Sequence, residues 1–170
     1  VSRFSPLYPS QILNLFTLNF SMMNLKCKGF EELTIKELYA ILRLRSEVFV
    51  VEQDCVYQDL DGKDEKALHV LGTKNGILMA YTRIFGPGDY FKEASIGRIV
   101  VKEPERKYGY GKDIVKASIL IIEEHYGVTS IHISAQSYLK RFYNGLGFQE
   151  VGTGYLEDGI PHIGMIMEQN

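Results

Sequence analysis

Val100-Val101-Lys102-Glu103-Pro104-Glu105-Arg106-Lys107-Tyr108-Gly109-Tyr110-Gly111-Lys112 is the stretch on which the reading of this chain turns. An apolar run, Ile99-Val100-Val101, ends a strand, and Pro104 stops it. Arg-x-x-Gly-x-Gly then opens a helix over 109–126, where Ile114, Val115, Ser118, Ile121 and Ile122 recur at helical spacing. The first N–H groups of such a helix have no intrahelical partner, and its dipole adds partial positive charge where they converge. Gly109 and Gly111 present no side chain to hold phosphate oxygens off the main chain. Arg106, Lys107 and Lys112 can add charge-assisted hydrogen bonds. A pyrophosphate suits this geometry, although an ordinary strand–turn–helix connection would also fit these residues alone. No Gly-Lys-Ser/Thr follows, and the turn comes after four strands, so neither a Walker loop nor a dinucleotide fingerprint is present.

Working outward, residues 25–30 alternate as a half-buried strand, and Thr34 with Glu37 forms a capping box for a helix running to about Glu52. Residues 53–66 read as an acidic loop. Strands over 68–73 and 77–85 flank Asn75-Gly76, a two-residue hairpin signal. A strand over 94–101 precedes the glycine turn. After the helix come a short buried strand over 129–135, a helix over 138–146 stopped by Gly147, and strands over 149–152 and 162–167 around Glu157-Asp158-Gly159. The order β-α-β-β-β-α-β-α-β-β predicts one mixed α/β domain with a central sheet and helices on its faces.

Composition narrows the classes. The 170 residues suit one core, and a net charge of -2 argues against a nucleic-acid partner. No apolar run reaches bilayer-spanning length, so no membrane partner is expected. Cys27 and Cys55 lack ligand spacing with the histidines, which reads as free thiols in a reducing cytoplasm and no metal. Residues 1–21 are apolar with Arg3 as their one charge, and Met22-Met23 resembles a natural start. They are read as an upstream or cloning-introduced extension on a domain over 22–170.

A second stretch, Ala135-Gln136-Ser137-Tyr138-Leu139-Lys140-Arg141-Phe142-Tyr143-Asn144-Gly145-Leu146-Gly147-Phe148, follows the next strand. Phe-Tyr-x-x-x-Gly-Phe after Arg-x-x-Gly-x-Gly resembles the acyl-CoA site of the GNAT superfamily of N-acetyltransferases. Three more segments resemble its ElaA-type branch: Arg43-Leu44-Arg45-Ser46-Glu47-Val48-Phe49-Val50-Val51-Glu52-Gln53, Tyr57-Gln58-Asp59-Leu60-Asp61, and Glu157-Asp158-Gly159-Ile160-Pro161-His162-Ile163-Gly164-Met165. Lys107 departs from the pattern, since many members have glycine there. The Arg, Phe and paired-Asp pattern resembles, more weakly, acyl-homoserine-lactone synthases of the same fold.

The resemblance implies a GNAT fold, with a mostly antiparallel sheet, two splayed strands and helices on both faces. It implies acetyl-CoA as co-substrate and direct attack of a small-molecule or peptide amine on the thioester. Ile99, Val100 and Val101 would offer main-chain groups to the pantetheine arm and the thioester oxygen. Arg106, Lys107, Tyr108, Gly109, Tyr110, Gly111 and Lys112 would hold the pyrophosphate, with Gln136 near the pantetheine. Tyr143 sits where the family places a tyrosine general acid. Glu52 is the first candidate base, His162 the second, and His69 a lesser one. Arg45, Arg83 and Arg98 are expected to form ordinary ion pairs with Asp59 and Asp61. Family habit and the apolar extension point to a homodimer. An acyl-CoA-binding regulatory module without catalysis, or an enzyme using a longer acyl donor, are the alternatives.

Overall fold

The computed structural model describes residues 23–168, so the 1–21 segment lies outside it. β1 (Asn24–Gly29) leads through a short turn into α1 (Ile35–Arg45). Thr34 caps α1 as its spacing predicts: the Glu37 N–H donates to Thr34 Oγ1 at 3.2 Å, and the Thr34 N–H donates to Glu37 Oε2 at 2.8 Å. The α-helix does not run to Glu52. Ser46–Glu52 winds instead as a wider π-helical segment. The run Val48-Phe49-Val50-Val51 is β-branched and aromatic, and such residues are weak α-formers.

β2 (Leu68–Lys74) and β3 (Ile77–Phe85) are joined by Asn75 and Gly76, both with positive φ, as the hairpin signal requires. β4 (Ala94–Val101) is followed by a 3-10 turn over Glu103–Tyr108 and then α2 (Tyr110–Tyr126). β5 (Ser130–Gln136), the short α3 (Lys140–Asn144), β6 (Gln149–Glu157) and β7 (Ile160–Glu168) complete the chain. The helix expected over 138–146 is thus cut to one turn and a half. The last two strands are longer than 149–152 and 162–167, because Gly152 and Gly154 interrupt the pattern without ending the pairing; a bulge lies between Val151 and Tyr155.

All strands join one sheet in the order β1-β2-β3-β4-β5-β7-β6, antiparallel except at β4–β5. α2 buries Ile114, Val115, Ile121 and Ile122 on one face, against Val70, Ile84, Ile96, Ile131 and Ile133. A buried bond between Thr82 and Ser118 hydroxyls, 2.6 Å, fixes α2 on β3. On the other face α1 packs Ile41 and Leu44, with Val48, on Leu71, Tyr81 and Val100. The mixed fold with helices on both faces is therefore as expected.

Of the arginines expected to make ordinary ion pairs, Arg45 and Arg83 are buried and Arg98 half-buried. Arg45 is 0% exposed and Arg83 1%. Arg45 donates to Asp59 Oδ2 at 2.9 Å and Asp64 Oδ1 at 2.8 Å. Arg83 grips both oxygens of Asp61 at 2.7 Å and reaches Asp64 at 2.9 Å. Arg98 donates to Asp59 Oδ1 at 2.7 Å. The acidic loop thus folds inward, and each buried charge meets an opposite one. Burial alone would raise Asp61 and Asp64, but the bonds and charge of Arg83 and Arg45 outweigh it and lower both carboxyls. His69 lies in the same region: it contacts the Tyr81 hydroxyl at 2.7 Å and the Asp64 carbonyl at 3.0 Å. Burial lowers its pKa.

Arg45→Met takes that partner from buried Asp59 and half-buried Asp64, and is expected to cost about 3–5 kcal/mol in urea unfolding. His69 and the two aspartates bind protons more readily unfolded than folded, so stability should fall with pH in two stages. The first begins below about pH 6.5, where an unfolded histidine charges, and the second below about pH 4, where unfolded carboxylates protonate. His69→Gln should flatten the first stage and leave the second; a slope unchanged by that substitution would assign it to another group.

Candidate active site

β4 and β5 are paired only at Ala94–Ile131 and Ser95–His132. Beyond those rungs residues 96–101 and 133–136 diverge, and a cavity of about 470 Å³ opens between them. The cause sits in β4. Tyr81 faces Val100 while Arg83 faces Gly97, so two residues, Arg98 and Ile99, stand opposite Thr82 alone. This is a β-bulge, and Arg98 takes φ 50° to make it. A non-glycine residue in that region is strained. The two hydrogen bonds from Arg98 to Asp59, 2.7 Å to Oδ1 and 3.2 Å to the carbonyl, hold it there.

The end of β4 exposes main chain to this cleft. The Lys102 N–H donates to the Met79 carbonyl at 2.8 Å, which makes Ala80–Val101 a non-hydrogen-bonded pair. In such a pair the N–H and C=O of Val101 point away from β3, toward β5. Arg106 Nε donates to that Val101 carbonyl at 3.2 Å, which leaves the N–H facing the splay.

α2 begins beside it. Gly109 has φ 80°, and no side chain caps the helix start. A Cβ at Gly111 would meet only ordinary contacts, 3.6 Å from Phe142 and Val101. Packing therefore does not demand glycine at 111, whereas close approach of a ligand to the main chain does. Gly109, Gly111, Lys112 and Arg106 all line the cleft. Lys107, Tyr108 and Tyr110 do not. Lys107 lies over the Tyr108 ring, whose side chain faces solvent, and Tyr110 is buried in the core. Helical winding turns these side chains aside, so at those positions only backbone is near the cleft.

Ile99, Val100 and Gln136 line the walls, with Gln136 donating to Gln53 Oε1 at 3.0 Å. Tyr143, 5% exposed, also reaches the cleft, with its ring edge-on to Phe142 and Phe148. Burial raises its phenol above the ordinary value, which keeps it protonated at neutral pH. Glu52 lines the mouth, but both its oxygens accept from Arg106 at 2.7 Å. His162 lines the opposite wall. Its Nδ1 is 2.8 Å from the Ile160 carbonyl, so the proton of the neutral ring sits on Nδ1 and the lone pair on Nε2.

Sequence reasoning missed a polar group beside His162. Ser134 on β5 meets the Tyr155 hydroxyl at 2.5 Å and Glu157 Oε2 at 2.8 Å, both from β6, reaching over β7. His162 stacks on Tyr155, centroids 6.1 Å apart. The signal was present only as Glu157-Asp158-Gly159, which marks a turn and says nothing of the strand beneath it. Cys55, buried and free, ties the far rim together by donating to the Asp158 carbonyl at 3.4 Å.

Residues 32–169 match the acetyltransferase (GNAT) domain profile. Over 139 residues the chain is 42% identical to protein ElaA of Escherichia coli K12, covering 81% of this chain and 91% of that one. The crystal structure of E. coli ElaA superposes with a TM-score of 0.81 at 40% identity, over 86% of this chain and 100% of that one. An acyl-CoA N-acyltransferase from Pseudomonas aeruginosa gives 0.79 at 40% identity, over 85% and 99%. A CoA-dependent acyl-homoserine lactone synthase, at 14% identity and a TM-score of 0.69 over 86% of this chain and 82% of that one, shares the fold alone. With its splayed β4–β5 cleft, its glycine turn and these relatives, the chain belongs to the GNAT acetyltransferase family, which transfers acyl groups from coenzyme A thioesters.

Proposed function

We propose that this protein is an acetyl-CoA-dependent N-acetyltransferase acting on a primary amine. One observation carries the reading: the inward-facing Val101 N–H stands at the end of an unzipped strand pair, next to an uncapped helix start with glycine at 109 and 111. The pyrophosphate of the donor lies on the N–H groups at 109–112, with Arg106 and Lys112 adding charge. The pantetheine fills the gap between β4 and β5 as a substitute strand, and the thioester oxygen accepts from the Val101 N–H. That bond strengthens as the oxygen becomes an oxyanion, an effect of about 3–4 kcal/mol in comparable sites.

The amine nitrogen attacks the thioester carbonyl carbon and the C–S bond breaks. One proton leaves the nitrogen and one reaches the departing sulfur. His162 takes the first on Nε2, the ring nitrogen that its bond to Ile160 leaves with a lone pair. Tyr143 serves the sulfur. A phenol raised by burial is first a hydrogen-bond donor to the thiolate, and gives up its proton only as negative charge accumulates there. Glu52 is less suited to act as base than its position in the sequence suggests, because both oxygens are occupied by Arg106. We assign it to holding Arg106 in place.

Tyr143→Phe is expected to lower kcat by about 10²-fold or more with acetyl-CoA affinity within about twofold, measured by thiol release and calorimetry. Full turnover in that variant would remove Tyr143 from the chemistry, and binding without turnover in the unmodified protein would favour a regulatory acyl-CoA-binding module. His162→Asn should reduce kcat with acetyl-CoA affinity within about twofold. Glu52→Gln should act mainly on KM for acetyl-CoA; the reverse pattern would return the role of base to Glu52.

A further inference from the structure

The cavity does not stop at the reacting centre. It continues toward the closed end of the β4–β5 splay, where Phe85, Tyr90 and Phe91 form an aromatic wall. Phe85 stacks on Tyr90 at 5.4 Å, and Tyr90 meets Phe91 edge-on at 4.8 Å. Arg83 and Ser95 line this lobe, and each carries a buried polar atom with no hydrogen-bond partner among the described residues, Nε and Oγ. Their residues are 1% and 2% exposed. Buried donors left unpaired are rare and call for an explanation. Phe85 pairs with Ser95 and Arg83 with Gly97, so all four belong to one face of the sheet. A Cβ at Gly97 would meet nothing within 4 Å, so the floor between the two donors is open.

We propose that this lobe is an acceptor subsite for an amine carrying an uncharged carbonyl at the far end of an apolar chain. The carbonyl oxygen accepts from Arg83 Nε–H and Ser95 O–H while the chain lies on the aromatic wall. This rests on the acetyltransferase reading above, with the amine at His162. Charge selects the neutral group. Arg45, Arg83 and Arg98 are matched by Asp59, Asp61 and Asp64, so the knot offers no net positive charge to a carboxylate. Glu157 and Asp158 line the same cavity and repel one.

Strand geometry sets the length. Ser95 is level with His132 and His162 with Gln136. At about 3.3 Å per residue, Ser95 stands about 13 Å from His162 along β5, and Gly97, the partner of Arg83, lies two residues further along β4 in that direction. A six-carbon ω-amino amide spans about 8 Å from nitrogen to carbonyl oxygen, and a hydrogen bond to the imidazole adds about 3 Å. A second hydrogen bond, at the carbonyl, brings the total to about 14 Å, close to the span to Ser95.

The test compares 6-aminohexanamide, hexylamine and 6-aminohexanoate as acceptors with acetyl-CoA. The amide should show kcat/KM about tenfold or more above each of the others, because hexylamine leaves both donors unpaired. Ser95→Ala should shrink the amide-over-hexylamine ratio several-fold, and Gly97→Val, which places a side chain on the open floor, should raise KM for the amide. No preference in the unmodified protein, or a ratio unmoved by Ser95→Ala, overturns the subsite. If hexanoyl-CoA instead outperforms acetyl-CoA with the amine held constant, and Gly97→Val abolishes that advantage, the lobe holds the acyl chain and the proposal falls. Calorimetry of the amide on the CoA-loaded protein separates the two readings. Amide binding weakened by Ser95→Ala, without turnover, would retire the transferase reading and keep the subsite. Turnover without preference would do the reverse.

Discussion

The contact between Arg98 and Asp59 governs the geometry of this molecule. A regular β4 would continue its parallel ladder with β5 and bury the main-chain groups that face the cleft. Instead Arg98 holds a left-handed φ that an arginine adopts at a cost, and β4 bends away after Ser95. Asp59 can hold Arg98 because Arg45 and the Tyr57 hydroxyl hold Asp59 from other sides. The strain at one residue is thus offset by a buried set of charges contributed by α1, the following loop, β3 and β4.

That arrangement is an expensive way to gain stability. Desolvating several charges consumes most of what their attraction returns. Its value lies in direction. Bidentate and forked guanidinium bonds fix angles as well as distances, so the loop over 53–66 is locked against the sheet and the bulge is locked against the loop. An apolar core on that face could fill the same space, but it would not dictate the backbone conformation of a single residue. Arg83 carries a second consequence, since gripping Asp61 and Asp64 with its terminal nitrogens leaves Nε buried without a hydrogen-bond partner among the described residues.

The cleft divides by chemistry along its length. Near α2 it offers backbone N–H groups and positive side chains; at mid-length it offers the Val101 N–H, Tyr143 and His162; toward the closed end it is aromatic with two orphan polar atoms. On the proposed reading, donor recognition is built largely from main chain, which many sequences can supply. Acceptor recognition, on the same reading, draws on side chains of β3, β4, β6 and β7, where relatives of one fold are free to differ.

By itself the sequence determined the local elements. Thr34 with Glu37, Asn75-Gly76 and the Gly109-x-Gly111 helix start are decided within a few residues, because caps, turns and unpaired N–H groups are short-range facts. The winding of 46–52 and the full length of β6 were not legible, since β-branched residues and glycines give weak local preferences that packing overrules. The splay was implied by the family resemblance and by no local pattern, while the buried arginine knot and the meeting of Ser134, Tyr155, Glu157 and His162 were not legible at all. Those depend on which distant segments neighbour one another and on how the low dielectric of the interior makes every charge find a partner. Only the tertiary structure decides that, because pairing energy between residues far apart in the chain leaves no periodic trace in it.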